Sequence, residues 1–434
     1  MRHRLAPLLR SELAGLCDQA LASGVNFLTL VILARSLGPS KFGFFALAFT
    51  LLQSANAVQG ALITRPHNVL GALRGGADYV RYTTTAAATQ IVFAGGLALL
   101  LATGAGAARA AGAGSALVFL AAAPALVAWQ LQEFGRRVLY TEGRLAGALA
   151  NDVLSYGSQA AMLVVLWQHD RLTGPTAFSV VAATSGAGAL LAVWQLRRSL
   201  SRRVDAAEFR ANWDFGKWLG AAELGYWFAS QSYIYLAGAI VGAAASGALK
   251  ASQTLLGPIS VFLAFFVNFL PIRFARAVRE AGAGALPRQM ARGFLATVPV
   301  TAAYGLLIAI FARPVLEAVY GSSYGRYETV ARLFAAYYLL LSISDVVVAS
   351  LSARGLTRRI FLGHAAGAIF SLACGWLLLE AFGAAGGVLG MILSLLLAMG
   401  LFWSAHAAAL GDDSSPTPPA AAPGAVSPPR PAKG

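Results

Sequence analysis

The 434-residue chain is 58% hydrophobic and only 12% charged, with a mean hydropathy of +0.65, whereas a soluble domain usually carries about 25% charged residues. This composition excludes a water-soluble globular protein and points to an all-α integral membrane protein. The formal charge of +15 is of the kind that membrane proteins gather in their cytoplasmic loops, so no nucleic-acid partner is expected.

The chain opens on MRHRLAPLLR, a basic stretch followed by apolar residues. That resembles a signal peptide, and Ala20-Leu21-Ala22 imitates a cleavage site. Glu12 and Asp18 interrupt the apolar core, however, and the helical pattern runs on to Ala34. An uncleaved first helix is therefore expected. A span needs roughly 20 mostly apolar residues. Twelve stretches qualify, near 14–34, 43–64, 82–102, 115–135, 146–167, 176–196, 218–240, 247–271, 294–311, 329–350, 360–379 and 385–406. Backbone groups in lipid must be satisfied within the segment, so these read as helices. The alternation of barrel strands is missing.

With the N-terminus placed in the cytoplasm, the even-numbered loops and both termini hold 25 of the 33 basic residues. The other side keeps Arg35, Lys41, Arg109, Arg171, Lys250, Arg313, Arg326 and Arg332. Both termini are therefore expected to be cytoplasmic. The most basic loop, RRSLSRRVDAAEFRANWDFGK (197–217), falls at the midpoint and divides two halves with a shared pattern. Ala34-x-x-x-Gly38-x-x-x-x-Gly43 follows helix 1, and Gly238-x-x-x-Gly242-x-x-x-x-Gly247 follows helix 7, 204 residues later. Six helices per half make a parallel repeat about an axis along the membrane normal. The expected bodies are six-helix bundles at 1–204 and 205–410, with a disordered, proline-rich cytoplasmic tail at 411–434.

Polar residues inside the spans nominate a site, because a carboxylate at a helix centre costs about 2.5–3.5 kcal/mol. On helix 1, Asp18, Gln19, Ala22, Ser23, Asn26 and Thr29 share an arc of roughly 140°, opposite Leu21, Val25, Leu28 and Ile32. On helix 7, Glu223, Tyr226, Ser230 and Tyr233 fall within about 80°. Helix 2 adds Gln53, Asn56 and Gln59 on one side. The functional reading is a polar cleft between the halves, with Asp18, Glu223, Asn26 and Asp345 as cleft or ion-coupling groups. The alternative is hydrogen bonding between packed helices. Arg65, Arg136, Arg137, Lys250 and Arg273 are candidates for gripping an anionic headgroup, since guanidinium forks match pyrophosphate oxygens. For each arginine the alternative is snorkelling and topology. Lys250 lies on the side poor in positive charge. Glu133, Asp152 and His364 fall near helix ends, where water reaches them.

No GxxxxGK[ST], HExxH or paired CxxC is present, and the non-cytoplasmic loops are short. An enzyme is not expected, nor a cofactor or a metal.

The stretch DQALASGVNF followed by LARSLGPSKFGFFALA resembles the first two helices of polysaccharide-transporter proteins. These are the Wzx-type O-antigen flippases of the multidrug/oligosaccharidyl-lipid/polysaccharide exporter superfamily. Asp18-Gln19-Ala20, Asn26-Phe27, Leu33-Ala34-Arg35, Leu37-Gly38-Pro39 and Phe42-Gly43 carry the likeness. The resemblance implies a V-shaped pair of six-helix bundles around a central cavity, in a bacterial inner membrane. It implies a lipid-linked oligosaccharide as substrate, typically on undecaprenyl pyrophosphate, moved by alternating access on an ion gradient. Partners would be membrane lipids and other polysaccharide-assembly membrane proteins. A multidrug exporter of the same superfamily and a membrane glycan polymerase or ligase are the rival readings.

Overall fold

The computed structural model describes residues 2–411, and the side chains of residues 21–407 apart from Ala222, Ala229, Asn268 and Ala283. Eight stretches are long and apolar enough to cross a bilayer, so this is a multi-pass membrane protein. Two of these stretches, Leu21–Gly71 and Thr357–Ala407, run for 51 residues each. A straight helix of that length would be about 77 Å long, more than twice the hydrocarbon thickness. Each is split instead by a non-helical glycine, Gly38 (φ 68°) and Gly383 (φ 58°).

So divided, the described residues form twelve long helices and no strand. They are α1 (2–37), α2 (39–59), α3 (Gly76–Ala110), α4 (Ala116–Thr141), α5 (Leu145–Asp152 and Ser158–Gln168), α6 (Gly174–Leu196), α7 (Ala206–Ile240), α8 (Ala243–Leu255 and Gly257–Ala281), α9 (Leu286–Ile310), α10 (Glu328–Ala353), α11 (357–382) and α12 (384–411). Wide π turns extend α2 to Gly71 and join the two segments of α5. The expected all-α architecture of about twelve membrane helices is the one found. One element was not expected, a short helix at Ala312–Tyr320 between α9 and α10. It buries Ala312, Leu316 and Tyr320 at four-residue spacing and turns Arg313 outward. Its nine residues are too few to register as a span.

The internal repeat is written in the backbone. Left-handed φ values occur in the five connections of the first half at Gly38, Gly76, Gly112, Gly143 and Asp170. In the second half they fall at the corresponding connections, at Gly242, Gly282, Gly321, Gly355 and Gly383. Gly38 and Gly242 are the clearest pair, each extended in ψ (170° and 166°) and each starting the next helix. No L side chain adopts that geometry without strain.

One turn further on, the two halves meet. A Cβ on Gly43 of α2 would overlap the Ala243 carbonyl at the start of α8, and one on Gly247 would overlap the Pro39 carbonyl. Small residues permit this backbone-to-backbone approach, which drives helix pairing in lipid. The largest core cluster surrounds the contact and draws on both halves, with Phe42, Phe45, Phe49 and Phe178 from one side and Tyr233, Leu249 and Phe334 from the other. Phe45 stacks on Phe178 with centroids 4.6 Å apart, and Phe49 stacks on Trp129 at 5.8 Å. Gly43→Ala or Gly247→Ala should destabilise the protein by about 1–3 kcal/mol through overpacking, read as a lowered unfolding midpoint in detergent. Ala substitution at Gly95 or Gly96, which face open space, should leave the midpoint in place.

Candidate functional site

Beyond the axial contact the helices diverge around a cleft with three connected compartments. The central one has a volume of about 900 Å³ and takes its walls from α1, α2, α4, α7, α8 and α10. It shares Gln231, Gln253, Ser260 and Tyr338 with a compartment of about 430 Å³ inside the second half. It shares Asn56 with a third, of about 290 Å³, lined by the end of α2, by Glu133 and Arg137 of α4 and by Glu223 midway along α7.

Lys250 is the charged group of the central compartment. It lies on α8 one turn beyond Gly247, and only 5% of its surface is exposed. Its Nζ donates to Gln53 Oε1 of α2 at 2.7 Å and approaches Gln253 Oε1 at 3.4 Å. It also lies 5.8 Å from the Phe49 ring centre. Among the described residues no carboxylate pairs with it. Removing an ammonium from water costs several kcal/mol, and two amide oxygens and a ring face offset only part of this. Ser23, Asn26 and Phe27 of α1 and Gln53 and Asn56 of α2 complete the polar wall, with Trp129 and Trp227 as flat apolar surfaces.

The predicted polar arc of α1 is divided. Ser23 and Asn26 face the cleft, but Thr29 turns to α5, where Gln159 Nε2 donates to its Oγ1 at 3.1 Å. The side chains of Asp18 and Gln19 lie outside the described residues. On α2, Gln59 is buried in the first half and donates to the Gln130 carbonyl at 3.1 Å.

The arginines separate into distinct environments. Arg65 Nη1 donates to Glu223 Oε2 at 2.9 Å, an ion pair from α2 to α7 across the halves, and both line the third compartment. Arg137 lines it too, held by Glu133 at 2.7 Å. Arg136 is buried away from it, within 2.8 Å of Glu133 and 3.1 Å of Asp152 of α5. Gln132 adds a hydrogen bond to Asp152 at 2.7 Å. Arg273 is exposed on α8 and lines none of the three compartments. The structure thus brings Arg65, Arg137, Glu223 and Asn26 onto one cleft with Lys250 and leaves Arg136 and Arg273 off its walls.

In the second-half compartment Asp345 of α10 shares the wall with Tyr226 and Ser230 of α7 and with His364 of α11. It makes no ion pair with any described residue. Tyr233, the fourth residue of the α7 arc, is fully buried, and its hydroxyl lies 3.3 Å from Ser394 Oγ of α12.

The two flanks of the cleft are unlike. Between α2 and α7 it is sealed. Pro66 has no N–H to offer the Leu62 carbonyl one helical turn back, and Asn212 Nδ2 of α7 donates to that carbonyl instead, at 2.6 Å. Tyr82 in turn donates to Asn212 Oδ1 at 2.8 Å, and Gly216 and Gly220 let α7 close on Leu62. Between α1 and α8 it is open. Phe27 and Val261 line the central compartment and are 38% and 51% exposed. Helix α8 breaks there, at Leu256 before Gly257-Pro258. Residues missed from sequence include Gln231, Gln253, Trp129 and Asn212. Gln253 alone had a signal, lying three residues beyond Lys250 on the same helical face.

Comparison with solved structures identifies the architecture. An inward-facing multidrug resistance MATE family transporter of the MOP superfamily superposes with a TM-score of 0.73 at 15% identity, covering 92% of this chain and 96% of its own. The lipid II flippase MurJ, in an inward closed conformation, superposes at 0.68 and 11% identity over 92% and 87%. The chain has the fold of these transporters. An outward-facing MATE family transporter matches at 0.60, with 14% identity over 94% and 96%. No family model matches the chain, and no curated protein matches it by sequence.

Removing Arg136 leaves Asp152, which is fully buried, with one fewer counter-charge. Arg136→Ala should cost about 3–5 kcal/mol of stability, seen as loss of monodisperse protein on size exclusion. Whatever folds should bind ligand in the cleft normally; selective loss of binding at full stability would instead place Arg136 in recognition.

Proposed function

We propose that the chain is a flippase for a lipid-linked oligosaccharide carried on a pyrophosphate. It works in a bacterial inner membrane by alternating access, with both termini in the cytoplasm. The single observation that carries this reading is Lys250, a buried cation without a described carboxylate, in a polar cleft between the halves. An anionic headgroup completes its coordination, whereas an organic cation, typical cargo for a multidrug exporter, would be repelled. The Asp18-to-Gly43 sequence likeness to polysaccharide transporters and the fold likeness to a lipid II flippase point the same way.

The unlike flanks suit such a cargo. The headgroup enters the central compartment between α1 and α8 while its tail stays in the bilayer. Asn26, Gln53 and Asn56 offer hydrogen bonds to sugar hydroxyls, and Trp129 and Trp227 offer stacking faces. Arg65 and Arg137 supply further positive charge at the rim. Lys250 sits one turn from the axial glycine contact, so charge bound there lies close to the pivot about which one half rocks against the other. Asp345, without an ion-pair partner in the second half, is assigned to the coupling ion, and Glu223 to the gate with Arg65. Membrane lipids and other polysaccharide-assembly membrane proteins are the expected partners.

Lys250→Gln should weaken binding of undecaprenyl-pyrophosphate oligosaccharide to the protein in nanodiscs about tenfold to a hundredfold, the value of one charge-assisted hydrogen bond. Lys250→Arg should restore most of it. Unchanged affinity in Lys250→Gln, or dye efflux without any effect on lipid-linked glycan, would end the flippase reading. Asp345→Asn should leave that affinity intact while abolishing the dependence of flipping on an ion gradient; flipping that still follows the gradient would remove Asp345 from coupling.

A further inference from the structure

Four of the 33 basic residues, Arg35, Arg313, Arg326 and Arg332, gather around the short helix Ala312–Tyr320. Arg35 Nη1 donates across the halves to the last carbonyls of that helix, Ala318 at 2.6 Å and Val319 at 3.4 Å. Arg332 lies 3.4 Å from Glu328. Arg313 and Arg326 line a surface cavity of about 370 Å³ whose other walls are Glu317, Ser322 and Ser323, so no apolar side chain contributes. With both termini in the cytoplasm, as proposed above, the positive-inside bias works against basic residues on this face and does not explain the cluster.

The cavity has an electrostatic surplus. Glu317 is its only carboxylate, and Oε1 is engaged by Arg313 Nε at 2.9 Å. Arg326 makes no ion pair with any described residue; its guanidinium lies over the Tyr327 ring, 4.9 Å from the centre. Gly321 (φ 101°) reverses the chain and brings Ser322 and Ser323 beside Arg313. Gly325 leaves room for the Glu317 side chain, whose carboxylate lies on the side of Arg313. Two guanidinium groups and two hydroxyls around one occupied carboxylate match a phosphate group. Immediately before the short helix, α9 turns Leu306, Leu307, Ile310 and the adjoining Phe311 outward, all more than half exposed. A phosphate held by Arg313 and Arg326 therefore sits at the head of a lipid-facing apolar strip.

We propose that this cavity is a binding site for the phosphate headgroup of an anionic phospholipid of that leaflet, with its acyl chains laid along α9. The site is separate from the transport cleft and is independent of the cargo. A lipid bound there also braces the short helix that Arg35 caps.

The test uses full-length protein bearing a fluorophore on Thr329→Cys, in a Cys17→Ala, Cys374→Ala background, in phosphatidylcholine nanodiscs. Brominated-tail phosphatidylglycerol should quench the label at a lower mole fraction than brominated-tail phosphatidylcholine. Removing both Arg313 and Arg326 by Gln substitution should reduce that preference about fivefold per charge removed. Glu317→Gln should raise it by freeing Arg313. Equal quenching by the two lipids, or a preference unchanged in the double variant, would overturn the proposal. So would loss of the preference on adding inorganic phosphate, which would give the cavity to a soluble anion.

Discussion

Everything in the cleft is referred to one contact, the approach of the α2 and α8 backbones at Gly43 and Gly247. In lipid no hydrophobic force brings helices together, so close packing of small residues must do so. Because the contact leaves no room for a Cβ on either side, it fixes the separation of the halves at one end. The helices diverge from there, and the space opened between them is what Lys250, Gln53 and Gln253 line. The same geometry explains why a buried ammonium is tolerated: it is placed where both halves contribute acceptors, Gln53 from one and Gln253 from the other.

The sequence made much of this legible because membrane physics leaves few choices. Apolar length gave the helices, and the spacing Gly38–Gly43 against Gly242–Gly247 gave the repeat, since a left-handed turn followed by a helix crossing demands glycine twice. Lys250 stood out as a cation on the side expected to be poor in positive charge. What stayed hidden depended on partners distant in sequence. Arg136 and Arg137 are adjacent and look alike, but one points into the first half toward Asp152 and the other to the rim beside Glu133. Thr29 shares a helical arc with Asn26, yet Gln159 draws it away from the cleft. The π turns at Gly60–Thr64 and His67–Gly71 have no signature beyond Pro66, and the donor that compensates for Pro66, Asn212, lies 150 residues from Leu62.

Pro66 also accounts for the unlike flanks. A proline inside α2 leaves the Leu62 carbonyl without its helical donor in a medium that supplies no water. The chain meets that need from α7, and with Gly216 and Gly220 the two helices close together. No such demand draws α1 to α8, where the helix break at Leu256 and the Gly257-Pro258 start leave the wall thin.

The two halves repeat each other in backbone but differ in where they keep charge. In the first half the acids inside the bundle are spent on arginines: Glu133 holds Arg136 and Arg137, and Asp152 completes the set. These pairs neutralise one another and stiffen the contact between α4 and α5. In the second half Lys250 and Asp345 both face the cleft, and neither forms an ion pair with a described residue. The two frames are alike in backbone, but the first pairs its buried acids with arginines while the second keeps Lys250 and Asp345 without a described ion-pair partner. A half with uncompensated charge has the larger energetic response to a bound anion or cation, so the second half is the one whose position a ligand in the cleft would bias.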